Sequence, residues 1–252
     1  LDTVDTSDCR VLRMMEYADV LEEESVEGIQ NAHTHEHSHE HEESHHQDEE
    51  HEEVHETSKD EANHEEGHTA EYDEHIWTSP KNAVKITEAI ANAVIELDPS
   101  HQAVYQENLN QYVEALKTLD REFEEIVVHA KHKMILFGDR FPFLYFAKAY
   151  GLDYRAAFPG CSSESEPSAK TVAYLIDKIR KERIPYIFYI EFSNQKLAKT
   201  IQEETGAVPL LFHSCHNLSK DEMEQGCTYL GLMQKNAENL KEALESDTDS
   251  MR

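Results

Sequence analysis

KMILFGDRFPFLYFAKAYGLDYRAAF (residues 133–158) changes its apolar rhythm three times in one short span. Met134–Phe137 is a continuous apolar run and reads as a strand. Pro142–Tyr150 has helical spacing and is stopped by Gly151, and Arg155–Phe158 is again a short strand. The same alternation continues downstream. Ser168–Arg180 is a helix capped by Ser168, Tyr186–Ile190 a buried strand, Asn194–Thr205 a helix closed by Gly206, and Val208–Phe212 another strand. A last helix is expected from Lys220 to Leu244, with Met223, Tyr229, Met233 and Leu240 among its apolar positions. Strands separated by helices predict an α/β lobe, a parallel sheet covered on both faces. Ligands of such sheets sit beyond the carboxyl ends of the strands.

Upstream of this lobe the text is helical. Tyr105, Leu109, Tyr112, Leu116, Leu119, Phe123, Ile126 and Val127 recur at three and four, predicting one helix over about 99–130. About thirty residues span roughly 45 Å, enough to link two lobes. Before it, Ser79 and Pro80 open an amphipathic helix over Lys81–Ile95 with Ile86, Ile90 and Val94 as its stripe, and Asp98-Pro99-Ser100 interrupts it. Residues 9–29 fit either a helix or a short strand and turn followed by a helix. The organisation is therefore an amino-terminal part over 1–96, a linking helix over 97–132 and the α/β lobe over 133–252.

The run from His33 to His75 holds twelve of the seventeen histidines, seventeen carboxylates and one lysine, Lys59. With almost no aliphatic side chains it cannot offset its ordering entropy by burial, so residues 31–74 are expected to form a disordered loop. Imidazole suits zinc, copper and nickel, and carboxylates can fill remaining positions. Acidity alone would make a solubilising linker, but twelve histidines point to metal. The net charge of −29 disfavours nucleic acid, whose phosphates need Lys and Arg. Cysteines at 9, 161, 215 and 227 form no CxxC pair, hence no disulfide framework or thiolate cluster. No apolar run is long enough to cross a bilayer. The sequence begins at Leu1 with neither initiator methionine nor signal peptide, so compartment is argued from function.

Polar groups gather at the strand ends. The first strand ends in Gly138-Asp139-Arg140, the third in Glu191 and the fourth in His213-Ser214-Cys215-His216, while His75 lies between the loop and a helix.

DEHIWTSPKNA (73–83), DRFPFLYFAKAYGL (139–152), FPGCSSESEPSAKTVAYLIDKI (158–179), ETGAVPLLF (204–212) and YLGLMQKNAENLKEAL (229–244), with the His-rich insertion and the long helix, complete a pattern. In combination they resemble the metal-binding solute receptors of ABC importers, the zinc and manganese group called cluster A-I. The resemblance runs from Asp73 to the end and more weakly over 9–30. It implies two α/β lobes joined by a rigid helix, with one metal in the cleft. The family's amino-terminal lobe has several strands and usually a first histidine ligand before the loop. Here about thirty residues precede the loop and none is a histidine, so an incomplete lobe or a fragment is expected.

The resemblance places His75 as the histidine that introduces the helix after the loop. The family's next histidine falls at Arg140, whose guanidinium cannot ligate a metal, so either Asp139 substitutes with an oxygen or the ligand comes from elsewhere. The family's last carboxylate ligand falls close to His213, and His216 is three residues on. The expected metal set is His75, His213, His216 and Asp139. Cys215 is expected to be buried, Arg140 to pair with Glu191 or Glu164, Glu166 to flank a turn, and His101, His129 and His132 to lie on the surface. A nitrogen-rich site favours Zn2+ over Mn2+. The implied role is zinc capture and delivery to an ABC importer permease by a monomer, extracytoplasmic, as a cell-surface lipoprotein or in the periplasm. A zinc hydrolase would need HExxH, but His37 and His41 are separated by Ser38 where that motif has Glu. Metal-dependent cell adhesion would need an exposed aromatic patch, and a cytoplasmic zinc store would lack any leader.

Overall fold

The computed structural model describes residues 9–24, 72–160 and 166–246, and the expectations for His33–Glu71 and Cys161 lie outside them. Within the first segment the only helical element described is a 3-10 turn, Met14–Tyr17. The segment is pinned instead by a bridge from Glu22 to Tyr72 and by the Asp73 N–H donating to the Leu21 carbonyl at 3.0 Å.

α1 (Pro80–Leu97) follows a 3-10 turn, Ile76–Thr78, with Pro80 at its first position. Its packed face differs from the expected stripe. Ala83, Ala89 and Ala93 are buried, whereas Ile86 and Val94 are half-buried and Ile90 is 43% exposed. The reason is helix on helix packing: α1 lies against α2 (Gln102–His129), and small side chains let two backbones approach closely. α2 is buried from Val113 onward, through Val113, Leu116, Leu119, Phe123, Ile126 and Val127.

The four strands β1 (Met134–Phe141), β2 (Asp153–Pro159), β3 (Tyr186–Tyr189) and β4 (Val208–Leu211) form one parallel sheet in the order β2-β1-β3-β4. β1 runs four residues past the apolar stretch because it keeps pairing with β2 to Arg140↔Phe158 and Phe141↔Pro159, after a register shift beyond Phe137. Asp139 is therefore within the strand, two residues before its end.

Alternation along the strands fills two cores. Ile135, Phe137 and Phe188 face α2, α3 (Leu144–Tyr150) and α7 (Tyr229–Glu245), while Leu136 and Ile187 face α4 (Ala169–Glu182) and α5 (Lys196–Thr205). Phe123, Phe137, Phe143, Phe146, Phe188 and Phe212 are all at most 1% exposed in the first core. Each such ring stabilises by about 1.5–3 kcal/mol on burial.

Ser168 caps α4 by accepting from the Thr171 N–H at 3.0 Å, and Gly151 and Gly206 end α3 and α5 in the left-handed region. The last expected helix is two. α6 (Lys220–Glu224) stops before Gly226 at φ 69°, and Thr228 opens α7 by accepting from the Gly231 N–H. His132 is partly buried, not superficial: its ring sits between α2 and β1 with Nδ1 3.1 Å from the Met134 carbonyl and a buried Nε2 lacking a partner. No helix among the described residues is long and apolar enough to cross a membrane.

Candidate metal centre

His75 is fixed on every side its backbone allows. Its N–H donates to Asp73 Oδ1 at 2.8 Å, and its carbonyl accepts from Thr78 N at 3.1 Å and Thr78 Oγ1 at 2.8 Å. The ring, 5% exposed, has Nδ1 3.1 Å from the same Asp73 oxygen. Gly160, just past β2, lies close over it: a Cβ there would stand 3.2 Å from His75 Cε1.

Two residues on, Trp77 joins this segment to the far end of the sheet. Its Nε1 donates to the Ser214 carbonyl at 2.9 Å, and its own carbonyl accepts from the Tyr229 hydroxyl at 2.8 Å. Its ring centre is 5.5 Å from that of His75 and 5.5 Å from that of His216. The two imidazoles are thereby brought edge to face, 6.3 Å between ring centres at 87°. Two imidazoles on one zinc, with Zn–N bonds of about 2.0–2.1 Å, have ring centres roughly 5 Å apart. His216 is exposed.

The other two expected ligands have different surroundings. His213 is 2% exposed and clamped by Asn236 of α7, whose Oδ1 accepts the His213 N–H at 2.7 Å and whose Nδ2 donates to its carbonyl at 2.8 Å. Its Nδ1 accepts from the Cys215 N–H at 2.9 Å. Nε2 stands 3.4 Å from Glu222 Oε1 without a well-formed hydrogen bond. Hydrogen bonds from Ser219 hold the Glu222 carboxyl below its ordinary value. Asp139 accepts the Arg140 N–H at 2.8 Å and lines a cavity of about 520 Å³ with Arg140, Glu166 and Lys196.

Of the two partners expected for Arg140, Glu191 bonds elsewhere. Glu191 accepts from both the N–H and the hydroxyl of Ser214, and the Arg140 guanidinium lies 5.9 Å from the Phe158 ring centre. Glu164 is outside the described residues. Cys215 is half-buried, its thiol pushed up to about 12 by burial, with Glu191 and Glu222 adding to the shift. Among the described residues no group of three or more His, Cys, Asp or Glu is drawn close enough to hold an ion. Asp73, Trp77, Gly160 and Asn236 escaped sequence reasoning. For Asp73 alone a local signal existed, a carboxylate two residues before a histidine.

A parallel α/β body with imidazoles meeting beyond its strand ends has the build of a solute receptor for metal. The sequence matches the family described as zinc-uptake complex component A, periplasmic (ZnuA), over residues 10–243, and the chain belongs to that family. It is 32% identical over 183 residues to the zinc-binding lipoprotein AdcA of Streptococcus pneumoniae R6, covering 73% of this chain and 36% of that protein. It is 31% identical over 172 residues to the high-affinity zinc uptake system protein ZnuA of Bacillus subtilis, covering 68% and 53%. The crystal structure of the Zn(II)-bound ZnuA-like domain of S. pneumoniae AdcA superposes with a TM-score of 0.59 at 31% identity, over 69% of this chain and 65% of that one. The chain thus spans about a third of AdcA and about half of the B. subtilis protein.

Proposed function

We propose that this chain captures zinc outside the cytoplasm and delivers it to the permease of an ABC importer, without chemistry on the ion. His75 and His216 supply the imidazoles of the cleft, and the loop His33–Glu71 collects ions for it. Residues 133–252 act as the carboxy-terminal lobe, 97–132 as the linking helix and 1–96 as the partner side of the cleft. The protein works as a monomer at the cell surface, lipid-anchored or periplasmic. Zinc fits better than manganese because the donors are nitrogen-rich.

One observation carries this reading. Two histidines far apart in sequence, His75 and His216, meet at 6.3 Å beside Trp77. The names of AdcA and ZnuA, both zinc proteins, support the choice of metal.

The test is zinc stoichiometry and affinity by competition with a chromophoric chelator. The full chain is compared with a version lacking 33–71, which keeps Asp73, and with His75→Ala, His213→Ala, His216→Ala and Asp139→Ala variants. One tight zinc that survives loop deletion and is lost with His75 or His216 is the expected result. Loss of all binding with the loop would overturn the cleft and leave a zinc buffer.

A further inference from the structure

We infer that Asp73 is a positioning residue for the metal, acting through His75. The inference rests on the cleft reading above. Asp73 and His75 are both 5% exposed, so their contact is not diluted by water. A single oxygen, Asp73 Oδ1, takes the His75 N–H at 2.8 Å and sits 3.1 Å from His75 Nδ1. A carboxylate at that distance is an acceptor, so the proton of the neutral ring resides on Nδ1 and the lone pair on Nε2. The ring is thus set in one tautomer and one orientation before any ion arrives. Ligating histidines that donate their second nitrogen to a carboxylate bind metal more tightly, because the partner both aims the ring and raises its basicity.

The backbone that carries this carboxylate is itself held. The Tyr145 hydroxyl of α3 donates to the Asp73 carbonyl at 2.7 Å and accepts from the Leu21 N–H at 3.0 Å. The Asp73 N–H is bound to the Leu21 carbonyl. Two separate segments, residues 9–24 and α3, therefore converge on the backbone of one aspartate, whose side-chain hydrogen bonds among the described residues are to His75. Rigidity spent at this point is rigidity delivered to the imidazole.

The experiment uses the full chain with ring-15N histidine. The His75 signals are assigned by comparison with His75→Gln, and zinc affinity of the tightest site is measured by chelator competition. In the metal-free wild type at mildly alkaline pH, His75 should show the nitrogen pattern of a single Nδ1–H tautomer. Asp73→Ala should scramble that pattern and weaken the tight site by roughly 10–100-fold. Asp73→Asn, near-isosteric and expected to fold if the alanine variant does not, should keep the tautomer and recover part of the affinity. Three results would overturn the proposal. A mixed or Nε2–H pattern in the wild type refutes it directly. Unchanged affinity in both Asp73 variants, with His75→Gln losing the site, refutes it while leaving the cleft intact. Unchanged affinity in His75→Gln removes the cleft reading as well.

Discussion

Replacing Trp77 by Phe isolates the bond that carries one half of the site to the other. Phenylalanine keeps an apolar ring beside His75 and His216 but cannot donate to the Ser214 carbonyl, now bonded at 2.9 Å. Ser214 is 3% exposed, so water does not readily replace the donor. The expected cost is that of a buried acceptor left without its partner, about 1–3 kcal/mol. The other contacts of the loop survive: Glu191 still binds Ser214, and Asn236 still clamps His213. The fold therefore persists, and the loss falls on the placement of His216 against His75. At about 1.4 kcal/mol per factor of ten, zinc should bind roughly 5–150-fold more weakly. Chelator competition reads the affinity, and urea denaturation followed by circular dichroism reads the stability. A variant that loses stability but keeps its zinc affinity would refute the claim that Trp77 sets the distance between the imidazoles.

Other perturbations test neighbouring parts of the structure. Gly160→Ala places a methyl 3.1 Å from the Phe141 carbonyl oxygen and 3.2 Å from His75 Cε1, so it should displace the ring and weaken zinc by more than tenfold, whereas unchanged binding would mean the strand end yields freely. Phe212→Ala empties a site walled by Phe143 at 4.9 Å and by Phe146 and Phe188 at 5.3 Å; it should cost about 3–5 kcal/mol in denaturant titrations, most of a typical margin. Burial keeps the His132 imidazole below its ordinary 6.5. The unfolded chain then takes up a proton that the folded chain refuses, so stability is complete above that value and declines as pH falls through the window beneath it. His132→Gln should flatten this decline in melting temperature, and superimposable pH curves would exclude His132 as its source.

Much of the sheet was legible because each strand carries a short apolar run bounded by its own stop. Gly151 and Gly206 mark helix ends by a backbone conformation that favours glycine, and Ser168 marks a helix start by its side-chain bond. The failures have one physical origin, contacts made with residues far away in sequence. Periodicity picked the large side chains Ile86, Ile90 and Val94 on α1, but the approach of α2 selected the alanines. Nothing local in Asp139 shows that β2 extends the pairing of β1 past it. Trp77 reads as an incidental neighbour of His75 until its indole is seen to reach Ser214.

The HxxH spacing of His213 and His216 illustrates the same limit and yields a last prediction. The chain does turn between them, Cys215 taking φ 59°, a conformation rare for a side chain of its kind. The turn does not gather the two imidazoles; it gives them different neighbours. His213 goes inward to Glu191 and Glu222 under the Asn236 clamp, and His216 stays exposed beside Trp77 and His75. The two are therefore expected to separate as scaffold and contact. His213→Gln should lower the melting temperature and leave zinc stoichiometry near that of the parent, because a buried ring is lost without touching the pair that meets at 6.3 Å. His216→Gln should do the reverse, leaving the melt nearly unchanged, since an exposed ring contributes little to folding, while removing an ion ligand. Zinc lost in the first variant with its melt intact would make His213 the ligand and require the Glu222 side of the loop to open toward His75.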